Sequence, residues 1–185
     1  MEFYIAVDTE TTGLNPEAGD RIVEIAAIPI YNGKVYEQHA FYSMVNPMVR
    51  VPVDVTGIHG LKNEDLEEFP GVDTIFPKFR EYIGSAILVI HNAAVDLHFL
   101  DLAAKETGTF PISNRFIDTL EVAKYLYPHS SNSLKSLARR FGIKVERFHR
   151  ARVDALVTAR IFVKFMDILG EKNIRRFIRR WRGSV

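Results

Sequence analysis

Asp8-Thr9-Glu10-Thr11-Thr12-Gly13 follows directly on the apolar run Phe3-Tyr4-Ile5-Ala6-Val7, and this junction constrains the fold more than any other stretch. The run reads as a strand buried on both faces. Side chains alternate along a strand, so Asp8 and Glu10 project from one side, about 7 Å apart. A buried anion is costly unless it is paired or bound to metal. Turn chemistry competes with that reading, because Asp and Thr bond to nearby backbone where strands end. The stretch alone leaves the two explanations level.

A length of 185 residues suits one domain with a sizeable core. With no cysteine, disulfides, thiolate metal sites and cysteine nucleophiles are excluded, and a reducing compartment fits. Met1-Glu2-Phe3-Tyr4 has no basic leader and no apolar run is long enough to span a bilayer, so a cytoplasmic location without a membrane partner is expected. The net charge of +1 is unevenly placed. Residues 171–185 hold six Lys/Arg against Glu171, which leaves the other 170 residues with a balance of −4. An acidic body with a basic tail points to a polyanionic partner.

Taken in order, the chain reads as one α/β domain with a mixed central sheet. Arg21 to Ile30 is apolar and β-branched, Asn32-Gly33 is a hairpin signal, and Lys34 to Val45 returns as the partner strand. The first three strands are therefore expected to be antiparallel. Asn46-Pro47 to Pro52 reads as a loop, and Thr56 to Leu61 is punctuated by Gly57 and Gly60. Helix is expected over Val72–Ile83, strand over Ala86–Ile90, and helix over Ala94–Thr107 closed by Gly108. A last short strand covers Arg115–Ile117, with Asp118 as an N-cap and Glu121 as its capping-box partner. Helices follow at Leu120–Leu126, Ser133–Phe141 and Ala151–Leu169. The tail places Ile174, Phe177, Ile178 and Trp181 at i, i+3, i+4, i+7. It reads as a basic amphipathic helix (171–185) packed on a domain of residues 1–170, its arginines either a solvated face or a contact to nucleic acid.

The two long helices settle the opening question. At roughly 100° per residue, Asp96 falls in the buried stripe of Leu97, Phe99, Leu100, Ala103 and Ala104, with His98, Asp101 and Lys105 opposite. Asp154 likewise lies in the apolar arc of Ala155, Ile161, Phe162 and Phe165. Capping explains one inward acid near a helix start, but not two of them together with Asp8 and Glu10. If the four converge, each close pair repels by about 4 kcal/mol at an effective dielectric of 20. Oxygen ligands without Cys or a zinc-spaced His pair suit Mg²⁺ or Mn²⁺. Metal binding is the favoured reading.

Asp8-Thr9-Glu10-Thr11-Thr12-Gly13, His91-Asn92-Ala93-Ala94-Val95-Asp96 and His149-Arg150-Ala151-Arg152-Val153-Asp154 resemble the three motifs of the DEDDh 3′→5′ exonucleases. Among these, the proofreading exonucleases of bacterial DNA polymerase III are nearest in look. The motifs keep the family order across nearly the whole chain. Val95 departs from it, standing where the proofreading relatives usually have Phe.

The resemblance implies a ribonuclease H-like fold, two divalent ions, and release of nucleoside monophosphates from a 3′ end. By position Asp8, Glu10, Asp96 and Asp154 match the metal-ligand acids, and His149 matches the general base, a role histidine suits near neutral pH. Thr11, Thr12, Gly13, Ile58, His59 and Asn92 are the candidate substrate contacts. Single-stranded or frayed DNA is the expected substrate, in proofreading or repair, with a DNA polymerase as the implied protein partner. No Gln-x-x-Leu-Phe clamp motif occurs. RNA trimming is the alternative, since metals and acids read the phosphate and not the sugar. A non-catalytic nucleic-acid-binding module has no need of all five site residues.

Overall fold

The computed structural model describes residues 2–183. Its centre is a mixed sheet built on β1 (Tyr4–Thr11), which pairs antiparallel with β2 (Ile22–Tyr31) and parallel with β5 (Ile87–Ile90). β5 pairs parallel with β6 (Arg115–Asp118). Asn32 and Gly33, both at positive φ (51° and 69°), turn the chain after β2. The return strand comes in two pieces rather than one. β3 (Lys34–Val35) and β4 (Phe41–Met44) both pair with β2, and a 3₁₀ turn over Glu37–His39 parts them.

One layer covers each face of the sheet. α3 (Val72–Ile83) and α4 (Ala93–Thr107) pack with Ile5, Val7, Ile25 and Leu88. On the opposite face α7 (Ala151–Leu169) packs with Tyr4, Ala6, Ala26 and Ile28, joined by α5 (Thr119–Leu126) and α6 (Leu134–Arg140). Asp118 caps α5 by accepting from Leu120 N–H (2.8 Å). Glu121, expected to complete that cap, instead pairs with Arg179. The Gly-punctuated stretch falls in a short helix, α1 (Val53–His59), and a second short helix, α2 (Asn63–Leu66), follows it. Among the described residues no helix is long and apolar enough to cross a membrane.

The tail is not the single amphipathic helix its spacing suggests. A turn of helix, α8 (Glu171–Ile174), passes through a 3₁₀ turn at Arg175–Phe177 into a strand, β7 (Arg179–Arg180), antiparallel to the start of β6. Ile174 is buried in the α7 layer with Phe177 and Ile178 against it, whereas Trp181 packs into the α4 layer. One helix would put all four on one face. An extended chain past the β6 edge reaches both layers and pairs backbone groups the edge would otherwise expose. Ser184 and Val185, the last two positions of the expected helix, lie outside the described residues.

Candidate active site

The acids meet where β1 and β5 end, the usual place for a site in an open α/β sheet. Asp8 and Glu10 stand opposite Ala26 and Glu24 of β2, and alternation turns both toward the α7 layer. Thr9 turns the other way, toward α4. Its N–H and its hydroxyl both donate to Asp96 Oδ1 (2.8 Å each). Asp96 is thereby held against β1 from one layer and Asp154 approaches from the other. At α4 the entry is tight: Asn92 adopts a left-handed conformation (φ 63°), and its N–H and that of Ala93 donate to the Asp118 carboxylate (3.0 and 3.1 Å).

Asp154 Oδ2 accepts from the His149 backbone N–H (3.0 Å), and its buried Oδ1 has no hydrogen-bond partner among the described residues. Ligand atoms of Glu10, His149 and Asp154 lie within 4.8 Å of one another. His149 is exposed and takes a left-handed backbone (φ 63°), uncommon for a non-glycine residue. Burial raises every acid of the group. Glu10 is pushed up to about 8, helped by Asp154 and Glu24. Asp96 and Asp154 rise to about 7 and about 6, each chiefly through burial. Asp8 is raised well above the carboxylate range by burial and then by Asp96, Asp154 and Glu10. Acids that destabilise one another in this way could hold a cation, and the orphaned Asp154 Oδ1 with an all-oxygen acid set fits a hard divalent ion.

A second carboxylate beside this group is not part of it. Glu24 is fully buried, and Arg150 grips it through Nε (3.0 Å to both oxygens) and Nη2 (2.6 Å). The first N–H of α7, on Ala151, also donates to Glu24 (3.2 Å), as does the Tyr42 hydroxyl. Burial and the Glu24 charge push the Tyr42 hydroxyl up to about 12. Glu24 thus has its own counter-charge and fixes the start of α7 between His149 and Asp154.

A family model described as RNase_T exonuclease matches residues 5–162. The chain belongs to this exonuclease family. The DNA polymerase III PolC-type protein of Caldanaerobacter subterraneus subsp. tengcongensis is 36% identical over 93% of this chain, which spans 12% of that relative's length. Exonuclease X, solved with 5′ overhanging duplex DNA, superposes with a TM-score of 0.75 at 24% identity, covering 94% of this chain and 98% of that one. The nuclease domain of 3'hExo, a DEDDh family member bound to rAMP, gives 0.80 at 16% identity over 99% and 98%. The fold is ribonuclease H-like, as expected.

Around the acids of this exonuclease domain, the expected substrate contacts divide. Thr12 is buried, donates its N–H to Arg21 O (2.8 Å), and uses its hydroxyl to accept from Arg21 N–H (3.0 Å) and donate to Asp20 (3.2 Å). Its side chain holds the loop. Gly13 lets the chain pass the Asp20 carboxylate, which a Cβ there would meet at 2.2 Å. The Thr11 hydroxyl donates to Gly13 O. His59 is buried at the end of α1, where Nδ1 accepts from Leu61 N–H (3.0 Å). Ile58 beside it is 51% exposed, and Asn92 is exposed too. Thr9, Glu24, Tyr42 and Arg150 were not among the residues singled out from sequence. Only Glu24 left a signal, as the one acid inside the ten-residue apolar strand β2.

Proposed function

We propose that this domain is a metal-dependent 3′→5′ exonuclease that removes nucleoside monophosphates from the 3′ end of DNA, in proofreading or repair. The convergence of Glu10, His149 and Asp154 within 4.8 Å, flanked by Asp8 and Asp96, carries the reading. Asp8, Glu10, Asp96 and Asp154 would hold two divalent ions, Mg²⁺ or Mn²⁺, which when bound supply positive charge to the phosphate and lower the pKa of bound water. His149 lies outside the helix and is exposed, so its ring is free to take the proton from the attacking water. Thr11, Gly13, Ile58 and Asn92 would contact the terminal nucleotide.

DNA is preferred over RNA as substrate because relatives 36% and 31% identical to this chain are DNA polymerases of the PolC type. That likeness also supports association with a polymerase. The test is hydrolysis of 5′-labelled single- and double-stranded DNA and RNA oligonucleotides with Mg²⁺, Mn²⁺ or EDTA. A ladder shortening one nucleotide at a time from the 3′ end, faster on DNA and absent in EDTA, is expected. Internal cleavage, or turnover in EDTA, would overturn the proposal.

A further inference from the structure

The acids that suit phosphate chemistry also repel a polyanion, so the strand leading to them needs cations close by. Residues 135–152 hold seven Lys/Arg against Glu146 alone, an excess as dense as that of the tail. Arg150 and Arg152 pair with Glu24 and Glu37. Lys135, Arg139 and Lys144 are exposed and form no ion pair among the described residues. Lys135 and Arg139 lie on one wall of an open groove whose other wall carries Ile143, Val145 and Phe148. Cations facing apolar and aromatic side chains are the combination that holds a single strand, phosphates on one side and bases on the other.

The groove leads to the site. Phe148 immediately precedes His149, and Arg147 Nη2 donates to the His59 carbonyl (3.3 Å), tying the loop to the end of α1 beside exposed Ile58. The seven residues of α6 extend about 10 Å, room for two or three nucleotide steps. The tail is placed less well. Arg175 pairs with Glu2 and Glu171, and Arg179 with Glu121. β7 also joins the start of β6, the end away from Asp118 and the α4 entry.

We propose that the groove between α6 and the loop over residues 141–148 is the track for the nucleic-acid strand upstream of the scissile phosphate. This rests on the exonuclease reading above and adds where the substrate lies. The test is fluorescence anisotropy of a labelled single-stranded DNA of about twelve nucleotides, titrated across salt in EDTA so that no turnover occurs. Lys135→Ala/Arg139→Ala/Lys144→Ala should bind about 100-fold more weakly near 0.1 M salt, and its log K against log salt slope should be shallower by about 2. The charge-keeping Lys135→Arg/Arg139→Lys/Lys144→Arg should retain the slope, and Arg176→Ala/Arg182→Ala in the tail should match the wild type. A triple-alanine slope equal to wild type, or a larger change from the tail variant, would overturn the groove. Because binding is read without catalysis, a wild type that binds but never cleaves would overturn the exonuclease reading alone.

Discussion

Thr9 gives both of its donors to one oxygen of Asp96, leaving the other carboxylate oxygen for a cation. Thr9→Val keeps the backbone bond and removes the hydroxyl. Loss of such a supporting bond costs about 10- to 100-fold in metal affinity, so Mg²⁺ titration of activity should shift upward by about tenfold with maximal turnover largely kept. An unchanged Mg²⁺ requirement would make the bond purely structural. Asp154 and His149 are expected to behave differently from each other. Asp154→Ala removes a carboxylate with a buried open oxygen, and Mg²⁺-dependent hydrolysis should fall below detection. His149→Ala should lower kcat by about 10²- to 10⁴-fold with little change in KM, and lose the limb of the pH–rate profile that reports the base. If His149→Ala raised KM alone, the ring would be a binding contact and not a base.

At the level of elements, the start of α7 depends on a pair the motifs do not include. Arg150 and Glu24 join a helix to a strand 126 residues earlier, with Glu24 fully buried. Arg150→Ala would leave that carboxylate with the Ala151 N–H and Tyr42 alone, a change that costs about 3–5 kcal/mol in comparable sites. Urea unfolding should show a loss of that size for Arg150→Ala and about 1 kcal/mol for Tyr42→Phe. A loss near zero for Arg150→Ala would mean that Glu24 takes up its proton at no cost. Periodicity exposed the long helices well: Val72–Ile83 and Ala151–Leu169 fall where the apolar spacing places them, and Asp96 and Asp154 are buried as projected. Where spacing alone decided, it could mislead. Ile174, Phe177, Ile178 and Trp181 fit a helical stripe, yet the unpaired edge of β6 draws the chain out and divides them between two layers. The α1 helix is seven residues long with Gly57 inside it, so its local propensity is weak and contacts formed late in the chain, such as Arg147 on His59, help to hold it. Glu24 and Arg150 explain each other only once β2 and α7 are side by side.

For the whole molecule, the acid cluster ties stability to pH. Glu10, Asp96 and Asp154 have folded values raised to about 8, about 7 and about 6, and Asp8 is raised as well. An unfolded carboxylate releases its proton near pH 4, so between there and pH 8 the metal-free native state holds more protons than the unfolded chain. Stability must then fall as pH rises through that window, the reverse of the usual behaviour of paired carboxylates. Two histidines act the other way. His59 and His91 are lowered by burial, so stability gains from them as pH rises, but that gain is complete once unfolded histidine is neutral, by about pH 7.5. Above it the slope belongs to the acids. In EDTA the melting temperature should drop by about 5 °C from near pH 7 to near pH 9, a loss of roughly 2 kcal/mol for a chain of this size. Saturating Mg²⁺ should remove that drop, because the ion binds the deprotonated acids and its stabilisation grows with pH. A melting temperature in EDTA that held steady or rose over the same range would show that the four carboxylates do not share one buried site.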